Sequence, residues 1–143
     1  MKRIASLCLL FAACAAAPKP YVVFNKEPQL GAIVPLRNAP TQYWLTGAGQ
    51  MSPSVSVAFD NVQYVIALDS LQRIRYIETT DESFRTRDGL RIGNTATDVM
   101  TAGGSAPIDE AGFGRYSRLQ SGWNAHYGTG ADEQMVISFF KRE

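Results

Sequence analysis

Cysteine is almost missing from this chain. Its 143 residues hold two, Cys8 and Cys14, and both fall within the first 14 positions. A body without cysteine excludes a structural disulfide and a Cys/His zinc site, so the fold must be held by its core alone. Histidine is nearly as scarce: His126 stands alone, which leaves one candidate for any histidine-dependent triad. Charge of one sign is also lacking, with 14 Lys and Arg against 13 Asp and Glu. Without Lys2 and Arg3 the balance becomes 12 against 13, which gives no electrostatic footprint for nucleic acid. Beyond the N-terminus no apolar run approaches the ~20 residues that a membrane-spanning helix needs. Internal repeats and low-complexity tracts are absent.

The first 17 residues report an address. Lys2 and Arg3 form a positive region, Ile4 to Phe11 a short apolar run, and Phe11-Ala12-Ala13-Cys14 leads into Ala15-Ala16-Ala17-Pro18. This is the layout of a secretory signal, too short at its apolar centre to span a bilayer. It resembles a bacterial lipoprotein signal, in which small residues precede a cysteine that is lipidated and becomes the new N-terminus. Ala12 and Ala13 match that motif, whereas Phe11 stands where Leu, Val or Ile is usual. The competing reading cleaves after Ala17 on an A-x-A pattern and leaves Pro18 directly after the cut, where peptidases rarely tolerate it. A third is an uncleaved anchor. The favoured reading makes Cys14 the lipidation site, residues 1–17 the signal and start of a tether, and 18–143 a single domain. The expected location is the periplasmic face of the cell envelope, membrane-anchored, with soluble periplasmic or secreted protein as the alternative. Cleavage before Cys14 leaves 130 residues, ample for one core.

The body is ruled by alternation. Val55, Val57 and Phe59 alternate with Ser56 and Ala58. Asp60-Asn61 then offers two residues tolerant of positive φ, and Val62, Tyr64, Ile66 and Leu68 resume the pattern, a strong hairpin signal. Asp69-Ser70 marks a turn, and Arg73 to Thr79 reads as a third strand, making 55–79 a meander. Upstream, Tyr21–Phe24 and Gln42–Thr46 read as strands. The intervening Pro28, Gly31, Pro35 and Pro40 predict mostly loop and edge structure. Downstream, Arg115–Leu119, a strand carrying Trp123, Ala125 and Tyr127, and Met135–Phe140 follow. In the last, Met135, Ile137 and Phe139 are expected on one face. One short helix is predicted after Thr95, an N-cap candidate with Asp98 three residues on, ending at Gly103-Gly104. The fold class is therefore α+β: mainly an antiparallel β-sheet meander with one short helix packed on it.

The segment Thr86-Arg87-Asp88-Gly89-Leu90-Arg91-Ile92-Gly93-Asn94-Thr95-Ala96-Thr97-Asp98-Val99 is similar to a module of uncharacterised exported bacterial proteins and lipoproteins. In these a strand leads through T-x-x-G, two apolar positions and a second glycine into a capped helix. It also loosely resembles small outer-membrane assembly lipoproteins and β-lactamase-inhibitor-like domains. Leu119-Gln120-Ser121-Gly122-Trp123 and the strand ending Phe139-Phe140-Lys141 extend the likeness over roughly residues 73–140. The assembly lipoproteins place a helical pair before their sheet, and this chain has strands there. The resemblance implies an exported protein, and its inhibitor-like side keeps an inhibitor role open. On physical grounds, Gly89 and Gly93 would permit tight turns, Leu90 and Ile92 would face the core, and Thr95 would cap the helix.

Candidate chemistry is sparse. His126, between Ala125 and Tyr127, reads as the outward partner of an alternating strand. Gly103-Gly104-Ser105 begins like a nucleophile elbow but follows a helix and lacks the closing glycine. Ser138 and Lys141 match S-x-x-K, yet residues three apart on a strand face opposite sides. Asp81-Glu82, Asp109-Glu110 and Asp132-Glu133 lack the alternate spacing of a calcium loop and are expected in solvated turns. Neither a metal nor a cofactor is expected, and the chain reads as a non-enzyme.

Binding residues are better represented. Arg73, Arg75, Arg85, Arg87 and Arg91 surround the third strand and its following loop. Arg73 and Arg75 are expected on one strand face, opposite Ile74 and Tyr76. Such guanidinium groups suit phosphate or carboxylate of lipid, cell wall or an acidic protein. The alternative is that Glu78, Asp81, Glu82 and Asp88 neutralise them on a solvated face. Tyr116, Trp123, Tyr127 and Phe140 form a second candidate patch, with core packing the favoured fate of Trp123. The expected function is a non-enzymatic envelope protein that binds another envelope component through its sheet. The alternatives are a periplasmic inhibitor or immunity protein reaching with the Thr80–Gly89 or Pro107–Gly114 loop, and a small hydrolase built from Asp81, Asp88, Asp109 and Glu110.

Overall fold

Alternation, turn chemistry and one capping box account for most of the elements. The computed structural model describes residues 22–132 and 134–143; the leader, Cys14, the tether and Glu133 lie outside the described residues. In chain order the strands and helix are β1 (Val22–Val23), β2 (Gln42–Gly47), β3 (Gln50–Phe59), β4 (Val62–Leu68), β5 (Ile74–Thr79), α1 (Ala96–Thr101), β6 (Ile108–Glu110), β7 (Gly114–Arg118), β8 (Asn124–Tyr127) and β9 (Val136–Arg142). They form one sheet in the order β1-β3-β4-β5-β9-β8-β7-β6, with β2 beside the first half of β3. Pairing is antiparallel except for β1 on β3. The expected α+β class and the 55–79 meander hold.

The β3–β4 hairpin turns on Asp60 and Asn61 at φ 50° and 62°, the left-handed pair that a two-residue turn requires. β3 begins at Gln50, five residues earlier than the alternation suggests. Pro53 interrupts that signal but pairs with Tyr43 on the outer edge. The Asp109-Glu110 pair, expected in a turn, lies in β6, an unanticipated short strand paired with β7.

One face of the sheet carries Val57, Tyr64, Ile66, Ile74, Ile77, Ala125, Tyr127, Val136 and Phe139. It is covered by Ala96 and Val99 of α1, by Phe84 and Leu90 of the loop after β5, and by Val34 upstream. The other face carries Ala67, Tyr76, Tyr116 and Phe140, covered by Phe113, Trp44, Leu45 and Ile108. The sheet curls about this second face until its two hairpin tips touch, Gly49 N–H donating to Gly112 O at 3.1 Å.

Two bulges overturn expected side-chain facings. Ala67 pairs Tyr76 while Leu68 pairs Ile74, so Arg75 is an extra residue. Ile74 and Tyr76 therefore belong to opposite cores rather than one face. In β9, His126 pairs Ser138 while Tyr127 pairs Val136, leaving Ile137 extra. Phe139 accordingly enters the first core, whereas Met135 and Ile137 are 40% and 42% exposed. Strict period-two reading fails wherever an unsignalled bulge shifts the register.

The predicted helix start is realised in full. Thr95 accepts from Asp98 N–H at 3.2 Å, and Asp98 Oδ2 accepts from Thr95 N–H at 2.7 Å. This reciprocal box satisfies two otherwise orphaned donors of a helix only six residues long. Val99 then packs on the sheet, completely buried. Gly89 and Gly93 adopt the positive φ that their turns require, and Leu90 is buried.

Candidate functional site

The five arginines divide between two ends of β5. At its start, Arg73 Nε pairs with Asp69 Oδ2 at 2.9 Å, and Arg75 with Glu143. Arg85, Arg87 and Arg91 follow the other end of β5, which runs from Ile74 to Thr79. The expected single arginine face does not form. Of the four acids offered as neutralising partners, Glu82 lies in one cleft with Arg85 and Arg91, and the other three are engaged elsewhere. Asp81 accepts from Gln63 N–H at 2.9 Å, Asp88 from Ser121 N–H at 3.4 Å, and Glu78 serves the opposite core.

Beyond β5 the chain is held down at both ends of the loop. Phe84 is inserted among Tyr64, Trp123 and Phe139, with ring centroids 6.1, 4.9 and 5.5 Å away. Thr86 closes the loop by donating N–H to Leu90 O at 3.0 Å and accepting from Leu90 N–H at 3.1 Å. Residues 93–96 pair with the start of β9: Gly93 N–H reaches Val136 O, and Val136 N–H reaches Asn94 O, each at 2.8 Å. Between these anchors opens a cleft of about 640 Å³ lined by Arg85, Arg91, Glu82, Asn94, Met135 and Ile137 among others. Arg85 Nη1 is steadied by the Glu82 and Phe84 carbonyls at 2.9 and 3.0 Å. Arg91 is exposed, and its backbone N–H donates to Asn94 Oδ1 at 2.7 Å. Two guanidinium groups, one carboxylate and two exposed apolar side chains thus share one concavity. Arg87 is exposed outside it.

The aromatic candidates do not form a surface. Tyr116 and Trp123 are each 4% exposed and Tyr127 1%. Tyr127 donates to Ser117 Oγ at 2.9 Å, and Lys141 Nζ caps Trp123 at 4.6 Å from its ring. Because both faces of the sheet are covered here, neighbouring Phe139 and Phe140 are both fully buried. Comparison with protein-family models, curated proteins and solved structures finds no match. Function must therefore be argued from the site itself.

His126 is not the solvated outward residue its alternation suggests. It faces the second core, stacked on Phe113 at 5.3 Å and edged by Phe140 at 5.8 Å. Desolvation there lowers its pKa below the ordinary value, partly opposed by the negative charge of Glu78. Gly114 makes room for the ring: a Cβ there would lie 2.4 Å from His126 Nε2. Ser138 Oγ lies 3.4 Å from His126 Nδ1, so a serine and a histidine meet there. Yet Ser138 is 1% exposed beneath the sheet's covering, out of a substrate's reach. The hydrolase carboxylates are likewise dispersed. Glu110 is bound to Arg142 and Tyr116, and the Arg142 hydrogen bonds hold its carboxyl below the usual range. Asp109, Asp81 and Asp88 keep separate local partners. Among the described residues no group of three His, Cys, Asp or Glu is arranged to hold a metal.

Sequence reasoning missed two features. Met135 and Ile137 reach the cleft through a bulge that leaves no sequence signal. Trp44 and Glu78 meet across the second face. Trp44 Nε1 and Tyr76 OH both donate to Glu78 Oε2, the latter at 2.8 Å, and Glu78 as a residue is only 8% exposed. An acidic residue at an inward position of a central strand is the signal that was available.

Proposed function

We infer that this chain is a non-enzymatic binding module of the bacterial cell envelope, exported and lipid-anchored through Cys14. It engages an acidic segment of a second envelope protein through the cleft between the loop after β5 and the start of β9. The reading rests chiefly on one juxtaposition: Arg85 and Arg91 stand beside exposed Met135 and Ile137. Guanidinium groups supply directional, charge-assisted hydrogen bonds to carboxylates, and the adjacent apolar side chains supply the desolvated area that gives an interface its energy. The lipoprotein-like leader and the resemblance to exported modules support the location.

The loops considered for an inhibitor are packed down. Phe84 and Thr86 are buried in the first, and Phe113 in the second. No observation favours that reading over the cleft.

The test is affinity capture from envelope extract with the full chain, comparing Arg85→Glu/Arg91→Glu with Arg73→Glu/Arg75→Glu. A stoichiometric partner lost only in the first variant supports the reading. Equal loss in both, or equal retention, contradicts it. A mass measurement on the mature chain tests the anchor: a diacylglyceryl-modified Cys14 N-terminus is expected, and an unmodified N-terminus at Pro18 opposes it.

A further inference from the structure

Glu78 poses a separate problem. As a residue Glu78 is only 8% exposed, and a carboxylate so placed is costly unless its charge is compensated. Its two donors, Trp44 Nε1 and Tyr76 OH, are both neutral and both fall on Oε2. None of the ion pairs among the described residues includes Glu78, and no donor among those residues reaches Oε1. Beside it lies a cavity of about 130 Å³, lined by Trp44, Ser56, Val65, Glu78 and Thr80 among others. It shares no lining residue with the arginine cleft. That volume matches about four waters, or the five heavy atoms of a butylammonium ion.

We propose that this cavity is a binding site for a primary alkylammonium group, with Glu78 as its counter-ion. An ammonium has three N–H donors and no acceptor, and the lining offers three matching oxygens: Glu78 Oε1 and the hydroxyls of Ser56 and Thr80. Trp44 and Val65 supply apolar wall for the attached methylenes. A guanidinium fits less well, because its fork needs both carboxylate oxygens and Oε2 already holds two donors. A quaternary ammonium lacks the N–H groups. The source is either a free small amine or a lysine side chain of a partner; the recognising chemistry is the same.

The test is titration of the ¹⁵N-labelled full chain with n-butylammonium chloride, butan-1-ol and tetramethylammonium chloride at constant ionic strength. The two indole N–H resonances are followed. Butylammonium is expected to shift Trp44 saturably and leave Trp123, the internal control, in place, while the alcohol and the quaternary ion shift neither resonance. Glu78→Gln is expected to weaken binding at least about tenfold, the loss of one charge-assisted hydrogen bond. Ser56→Leu, which fills the cavity and keeps the carboxylate, serves if Glu78→Gln does not fold, and is expected to abolish the shift. No saturable shift, an equal shift with butanol, or undiminished binding in a folded variant overturns the proposal. Tighter binding of a lysine peptide blocked at both termini, its side-chain ammonium free, than of butylammonium assigns the site to a partner's lysine; weaker binding assigns it to a free amine.

Discussion

Phe84→Ala is the substitution that most directly probes how the arginine cleft is held. Phe84 is 5% exposed and its ring meets those of Tyr64, Trp123 and Phe139. Removing it withdraws about 150 Å² of apolar burial, worth about 4 kcal/mol at about 25 cal/mol per Å². The three aromatic contacts add to this, and partial collapse of the cavity subtracts from it. The expected loss is therefore about 3–5 kcal/mol, as for other buried phenylalanines. That is a large share of the roughly 5–15 kcal/mol available to a domain. Phe84→Leu, which keeps most of the volume, should cost about 1–2 kcal/mol. The assay is urea unfolding followed by tryptophan fluorescence, since Trp123 lies against the deleted ring. Because the Phe84 carbonyl also holds Arg85 Nη1, partner binding should weaken in both variants in the same order. A loss below about 1 kcal/mol for Phe84→Ala would refute the reasoning, because the loop would then owe its position to something other than this anchor.

Other expectations concern the helix, a packed glycine and the lone histidine. Thr95→Ala removes one half of the capping box and should lower stability by about 1 kcal/mol in the same assay, with Thr95→Ser restoring it. Gly104→Ala would place a Cβ 2.6 Å from Val99 Cγ1 and 2.8 Å from the Val99 carbonyl. The backbone oxygen cannot step aside, so a loss of about 1–3 kcal/mol is expected rather than the usual gain from replacing glycine. His126 has its folded pKa depressed below 6.5, so the unfolded chain takes the proton first as pH falls. Its contribution is complete above about pH 6.5 and is lost progressively as pH falls toward the depressed folded value. His126→Asn should flatten that part of a stability–pH curve. The further loss through and below about pH 4.5, where Glu110 titrates, should remain.

Much of the fold was legible because its causes are local. Alternation from Val55 to Leu68, the Asp60-Asn61 turn and the Thr95/Asp98 box each carry their own physical signal, and each formed as read. Facing was less legible. Arg75 and Ile137 are bulge residues, and a bulge is decided by how strands stack around a curled sheet rather than by the residues themselves. The curl also explains the aromatic candidates. An alternating strand normally leaves one face wet, but here the contact between the β2–β3 and β6–β7 hairpins lets the second face be covered too. Tyr116 and Phe140 are buried there, and His126 is half-buried. Of the arginine cluster, the sequence carried the residues but not their division. The partners of Arg73 and Arg75, Asp69 and Glu143, are a turn residue and the chain's last residue, and the latter is remote in sequence.

Site-specific photocrosslinking from position 137, in cells that make the protein, tests the central reading most directly. Ile137 lines the cleft and is exposed, so a photoreactive side chain there samples whatever occupies it. One envelope protein should be captured from Ile137, lost when Arg85 and Arg91 are changed to Glu, and not captured from exposed Asp109, which lies outside the cleft. No adduct from Ile137, or an adduct indifferent to the two arginines, would contradict the assignment of this cleft as the binding surface.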